Sequence, residues 1–338
     1  MKIIIVTLGF YFMCIYCVLA QSPEISLREF ASGQIKKGVR SIGMGGDGAT
    51  WGNYSQVWKD SGTGIMDAGI TGYPNSNTFS FTAVGFTSPS LWRHLAIYVI
   101  ALSQNATGIN TSLKSPMAGS HSILYNGNGS NQAVFLKAAM PFSNGFSVGL
   151  LLSYERSMFN AVSSDIPLDY VHYQTNWLPS GGFGVTWQPT QRVLVGARAL
   201  FNHDWEERTD DNSTYRGLNL SYEYRAGISV VTWKGALIDI GGNLRYRYNQ
   251  IYNTSHSDPR PNIGFEQNIL NRHLALRAGL DESSETGGLS VRFKPFILDI
   301  AYVHNLGFAR IGSLYGVNSN SLIATLVFDY EQYGKKKI

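Results

Sequence analysis

The chain has 338 residues, only 15% of them charged, and a formal net charge of +4 spread along its length. It has no basic cluster with interleaved aromatics, so nothing marks a nucleic-acid surface. Both cysteines, Cys14 and Cys17, fall in an apolar N-terminal stretch, so a chain trimmed of that stretch is expected to have neither disulfide nor thiol chemistry.

Lys2 followed by the apolar run Ile3 to Leu19, with small residues at Val18-Leu-Ala20, reads as a signal peptide over residues 1–20, cleaved before Gln21. No later apolar run approaches the roughly 20 residues of a spanning helix. If the chain crosses a membrane it must therefore do so as a closed β-barrel, the other structure that satisfies every backbone polar group in lipid. Residues 21–76 are Gly-rich and alternate poorly, and are read as a region apart from the regular strands that follow. Residues 77–338 are expected to form the barrel.

Period-two alternation predicts strands at about Thr78–Phe86, Arg93–Leu102, Gln132–Pro141, Phe146–Glu155, Gly182–Gln188, Arg192–His203, Leu218–Val231, Ala236–Asn249, Asn262–Gln267, His273–Leu280, Gly288–Phe293, Phe296–His304 and Leu322–Tyr330. Short turns fall at Ser143-Asn-Gly145, Pro189-Thr-Gln191, Trp233-Lys-Gly235 and Lys294-Pro295. Longer loops are expected at about Gln104–Asn131, Arg156–Gly181, Asp204–Gly217, Ile251–Pro261 and Asn305–Asn320. Short turns on one side and long loops on the other are the habit of outer-membrane barrels, whose strand number is even. One more strand is expected between Ile35 and Tyr73, about fourteen in all.

The faces sort cleanly. In Ala236–Asn249 the even positions read Ala, Ile, Ile, Gly, Leu, Tyr, Tyr, and the odd positions read Leu, Asp, Gly, Asn, Arg, Arg, Asn. Leu274, Leu276, Ala278 and Leu280 share a face opposite His273, Ala275, Arg277 and Gly279. Apolar faces that end in Tyr and Phe fit aromatic girdles at membrane interfaces. A secreted β-sandwich also needs alternation and a leader, but strand length and the terminal aromatics favour the barrel.

The stretch Gly38-Val-Arg-Ser-Ile-Gly-Met-Gly-Gly46 resembles the N-terminal signature of the long-chain fatty-acid transporter family of outer-membrane proteins (FadL-like), a broad group that includes PorV-like barrels of type IX secretion. That family's Asn-Pro-Ala-Gly-Leu motif corresponds to Met66-Asp-Ala-Gly-Ile70, with Ala68 and Gly69 matching and Met66 and Asp67 replacing Asn-Pro. Asp47 replaces an Ala after the glycines. Pro261-Asn-Ile-Gly-Phe-Glu-Gln267, Leu274-Ala-Leu-Arg-Ala-Gly-Leu280 and Leu298-Asp-Ile-Ala-Tyr302 are similar to the family's closing strands. The resemblance implies an all-β outer-membrane barrel of fourteen strands with an N-terminal plug, in a Gram-negative bacterium. It also implies passive uptake of a small hydrophobic, fatty-acid-like compound. The ligand path and plug would involve Gly43, Met44, Gly45 and Gly46 and a turn at Asp67, Ala68 and Gly69. The alternative within the group is a non-transporting barrel that binds a protein partner in a secretion or surface-assembly system through its long loops.

The face turned away from lipid is expected to hold charges of both signs: Glu155, Arg198, Glu223, Arg225, Asp239, Arg245, Arg247, Arg277, Arg292 and Asp299. Mixed signs point to a paired network rather than an ion-selective ring, because buried charges persist when paired. Glu223 and Asp239 are the expected partners of Arg245 and Arg247. Leu151, Leu194, Leu200 and Leu237 are the apolar candidates on the same face. The histidines are scattered, metal-ligand spacing is absent, and no catalytic constellation stands out. Neither enzymatic activity nor a cofactor is expected, and the partners expected are outer-membrane lipid and one of the two ligands above.

Overall fold

A computed structural model describes Met44, Thr50 and residues 65–72, 79–92, 95–114, 122–163, 170–175, 178–210, 213–233, 235–250, 253–270, 273–281, 284–293, 295–305 and 321–329. The expected signal peptide (residues 1–20), Gly43, Gly45, Gly46 and residues 306–320, where a long loop was expected, lie outside them. Among the described residues no helix is long and apolar enough to cross a membrane.

Fifteen strands form one antiparallel sheet. They are β1 (Ile65–Gly72), β2 (Phe79–Trp92), β3 (Leu95–Lys114), β4 (Ser122–Pro141), β5 (Phe146–Ser163), β6 (Tyr170–Thr175), β7 (Leu178–Thr190) and β8 (Val193–Asp210). After these come β9 (Ser213–Val231), β10 (Ala236–Asn249), β11 (Thr254–Ile269), β12 (Leu274–Asp281), β13 (Ser284–Phe293), β14 (Phe296–Asn305) and β15 (Ser321–Asp329). Each strand pairs with its sequence neighbours, with one refinement. β6 and β7 lie end to end between β5 and β8, β6 on their distal parts and β7 on the parts near the short turns. β1 pairs with β15 from Ile65↔Asp329 to Gly72↔Leu322. Every described strand is thus paired on both sides, which leaves no sheet edge as a template for foreign strands.

β1 lies within the stretch where an extra strand was expected, and it corrects one reading of the sequence. Asp67, Ala68 and Gly69 do not form a turn. They are wall residues, paired with Val327, Leu326 and Thr325 on one side and with Gly85, Val84 and Ala83 on the other. A strand of eight residues with two glycines alternates too weakly to be seen.

Several expected long loops are also strand. β3 and β4 remain paired from Gln104↔Asn131 to Lys114↔Ser122, with a register shift between Ala106 and Ile109. β8 and β9 zip to Asp210↔Ser213, β5 continues to Ser163, and β11 starts at Thr254. Apolar alternation is required only where one face meets lipid or a core. Beyond that zone both faces can be wet, and ladder hydrogen bonds extend the hairpin without a periodic signal.

The short connections hold. At Ser143–Gly145 a 3-10 turn uses Asn144 at φ 63° and Gly145 at φ 74°. A side chain at Gly145 would meet the Gln188 carbonyl at 2.5 Å, so glycine serves both the backbone and the close approach.

The two faces differ sharply. On β5, Leu150 and Leu152 are 60% and 59% exposed, while Leu151 between them is 1% exposed. The outward set continues through Val134, Leu136 and Met140, Phe183, Val195, Ile228, Ile240, Leu244, Leu276 and Leu326. Phe142, Phe146, Trp187, Trp233 and Phe293 ring the short-turn end of this face, and Tyr154, Tyr224, Tyr246 and Tyr302 lie further along it. Among the described side chains, no outward position between these aromatic levels is charged. From Phe146 to Tyr154 is about 26 Å of strand at ~3.3 Å per residue, enough to match an apolar band of about 25 Å once strands tilt.

Candidate functional site: the inner face

Burial selects the opposite face of the sheet. It carries three polar groups, each assembled from the register of neighbouring strands.

The first lies on β9 and β10. Glu223 and Arg245 are register partners, and the Arg245 Nη2 and Nε donate to Glu223 Oε2 at 2.9 and 3.1 Å. Arg225, two residues along β9 and so on the same face, donates its Nε to Glu223 Oε1. Arg198 on β8 is register partner of Arg225 and is also buried. Arg247 is half-buried, with Ser221 and His256 as its register partners.

The second spans β11 to β14. Glu266 and Arg277 are register partners, as are Ser290 and Asp299. Arg277 sits among them, with Nε 2.8 Å from Glu266 Oε2, Nη2 2.5 Å from Ser290 Oγ and Nη1 3.1 Å from Asp299 Oδ1. Ser290 Oγ also donates to Asp299, and Asn268 Nδ2 reaches Glu266 Oε1 at 3.1 Å. Both Arg277 and Glu266 side chains are almost wholly buried. Such an array tolerates burial because each charge meets both an opposite charge and further hydrogen bonds. Arg292 stands apart, nearer the short turns, with its backbone N–H donating to the His273 carbonyl at 2.8 Å.

The third joins the N-terminal segment to the wall. Thr50 Oγ1 donates to Asp239 Oδ1 at 2.6 Å, and the single Ser229 hydroxyl proton has two acceptors in reach, Thr50 Oγ1 at 2.8 Å and Asp239 Oδ1. Thr50, Ser229 and Asp239 are all buried. Met44, fully buried, lies with its backbone against Gly264, register partner of Asp239. A Cβ at Gly264 would collide with the Met44 carbonyl. So the two described residues that precede β1 both rest on the inner face, at β9 to β11.

The inner face is not polar throughout. Phe135 on β4, Leu151 on β5 and Leu194 and Leu200 on β8 are buried there, and Leu151 and Leu200 both face Gly182 across the ladder. Leu237 joins them on β10. Lys137 and Glu155 are the buried charges of β4 and β5, and the Lys137 ammonium lies 5.5 Å from the Tyr98 ring centroid.

Period-two reading placed the charged side chains on this face. It missed Glu266 and Ser290, whose parity with Asn262 and Arg292 would have revealed them. It also missed Thr50, which no local pattern marks. Among the described residues, no group of three His, Cys, Asp or Glu could hold a metal ion.

No protein-family model matches the sequence, and no curated protein matches it. Solved structures do match. A Pseudomonas aeruginosa FadL homologue is 10% identical, with 92% of this chain covering 99% of that one at a TM-score of 0.53. The CymD monoaromatic hydrocarbon channel is 14% identical, with coverage of 87% and 97% and a TM-score of 0.51. At such identity the shared property is architecture, and this chain has the fold of the FadL-like outer-membrane barrels.

Proposed function

We propose that this chain closes into a barrel of fourteen staves, β6 and β7 sharing one, in the outer membrane of a Gram-negative bacterium. The segment before β1, including Gly43, Met44, Gly45 and Gly46, forms a plug inside it. The barrel passes a small hydrophobic compound of fatty-acid or hydrocarbon type. The charge-free outward band, too extensive for a water-soluble surface, supports the membrane placement. Thr50 and Met44 on the inner face support the plug. The transport reading is carried by the buried apolar side chains Phe135, Leu151 and Leu200 of β4, β5 and β8, which lie on the inner face among the charges Lys137, Glu155 and Arg198, with Leu200 the register partner of Glu223. A hydrophobic compound would find apolar contacts there, while ion pairs brace the wall and the Thr50 hydrogen bonds tie the N-terminal segment to it. The fold shared with a hydrocarbon channel agrees with this role.

Native mass spectrometry of protein released gently from outer membranes tests the proposal. A bound apolar molecule of low mass is the expected result. The plug is tested separately by placing Trp at Gly45, which is expected to displace it and to raise protease access before β1. Unchanged uptake and unchanged protease resistance would overturn that role.

One observation favours the alternative of a non-transporting barrel. β3 and β4, each 20 residues long, and β9, 19 residues long, extend well past the roughly 9–11 residues a spanning strand needs. Tall hairpins of this kind offer a surface for a secretion-system or surface-assembly protein. A stoichiometric protein partner with no small ligand, in the same mass spectrum, would move the assignment to that role.

A further inference from the structure

Beyond the apolar band, the outward side of β5, β6, β8 and β9 carries a polar ladder. Arg156 follows the exposed Tyr154 by two residues on β5, and Arg216 precedes Leu218 by two on β9. Arg216 is the next outward position past Leu218, whereas on β5 the outward face beyond Arg156 continues with Met158, the register partner of Gln174, and with Val162. Arg156 Nη2 donates to Gln174 Oε1 at 3.4 Å, Gln174 Nε2 to Glu207 Oε1 at 3.5 Å, and Arg216 Nε to Glu207 Oε2 at 2.8 Å. Gln174, Glu207 and Arg216 form one register row. The next row outward holds the His172–Asn160 pair.

Below this ladder lies an outward cluster of rings. Phe183 stacks on Phe201 at 6.2 Å between centroids, Phe201 meets Tyr222 at 5.9 Å and Tyr224 at 6.2 Å edge-on, and Tyr222 stacks on Tyr246 at 6.1 Å. Among the described side chains, Arg156 and Arg216 are the outward arginines beyond the band. On the opposite wall that level holds Glu285 facing His304 instead. Among the described side chains, guanidinium, aromatic surface and aliphatic band are therefore stacked in this sector.

We infer that this sector seats the phosphorylated headgroup of one outer-leaflet glycolipid. The Arg156 and Arg216 guanidiniums take phosphate oxygens, the rings support the sugar, and the acyl chains run down the aliphatic band. Arginine suits this task because its planar fork matches phosphate geometry and is weakly hydrated. Charge at a lipid surface adds a long-range attraction. Glu207 does not cancel the site. It grips Arg216 through Nε, yet the arginine side chain stays 73% exposed, so most of the fork faces outward, held in direction. The ladder sums to one excess positive charge, complementary to an anionic headgroup and a poor match for an acidic and basic protein patch in equal measure.

The inference rests on the outer-membrane placement, and the two are separable. Fractionation of wild-type cells tests the placement, and protein missing from the outer membrane would overturn it. The lipid site is tested on detergent-purified protein by its unfolding temperature with a phosphorylated glycolipid and with the same lipid stripped of phosphate. The expected result is a rise of several degrees with the phosphorylated form alone, as binding to the folded state requires, and loss of that rise in the Arg156→Gln/Arg216→Gln double variant. Equal stabilisation by both lipids, or a full rise in the double variant, would overturn the site. If the double variant does not fold, Glu207→Gln keeps both guanidiniums and is expected to keep or enlarge the rise. A rise lost in that variant would also overturn the proposal.

Discussion

At the scale of single residues, the inner face is held by charges that cannot be removed one at a time. Arg277→Met strips Glu266 of its cation in a buried site, a loss worth about 3–5 kcal/mol. Adding Glu266→Gln removes the stranded charge, so the double variant is expected to recover part of that loss. The urea concentration at half-unfolding, read for both variants, checks the order. Thr50→Val deletes one donor to the buried Asp239, expected to cost about 1–3 kcal/mol and to raise proteolysis before β1 while leaving the wall folded. Gly264→Val is expected to act more strongly on the same readout, because its new side chain must push aside the Met44 backbone. Arg277 and Asp299 were legible in the sequence, since parity alone decides which face a strand residue takes. Thr50 was not, because its partners Ser229 and Asp239 are brought to it only by the tertiary fold.

At the scale of strands, the outward apolar band and the tall hairpins follow different rules. Ile240 is half-exposed in the middle of the outward band of β10, where arginine costs about 2–4 kcal/mol in a bilayer. Ile240→Arg is therefore expected to lower the unfolding midpoint in lipid vesicles, with little effect if the face meets water instead. The distal parts of β3 and β4 obey no such demand. Shortening that hairpin between Asn105 and Ser130, which are register partners, is expected to leave the barrel resistant to heat and detergent, as judged by its mobility on unheated gels. This contrast explains what the sequence hid. Ala236–Asn249 was delimited to the residue because both of its faces have different solvents. Gln104–Asn131 read as a loop because Asn, Ser, Thr and Gly on both faces leave no periodic trace. β6, Tyr-Val-His-Tyr-Gln-Thr, was lost because six residues are too few to show a clear period.

At the scale of the whole molecule, sequence order and spatial order coincide nearly everywhere, so successive alternating segments sufficed to suggest the architecture. The junction of β1 with β15 has no local signature, and neither does the seating of Met44 and Thr50. These contacts join the earliest part of the chain to its second half and its end. The Thr50–Asp239 bond spans 189 positions, and β1 finds its second neighbour only when β15 exists. Contacts of such sequence separation form late, since the loop entropy is lost before the contact rewards it. Met44 and Thr50 therefore have no native partner until β9 to β11 have emerged, and β1 has one of its two neighbours until the end. Until the last strand arrives, the polypeptide presents its Leu- and Tyr-rich stripes to water as separate adhesive hairpins. If the wall closes in a membrane as proposed, safe delivery depends on keeping the completed chain unfolded and escorted, and on pairing β1 with β15 and seating Met44 and Thr50 in one concerted event.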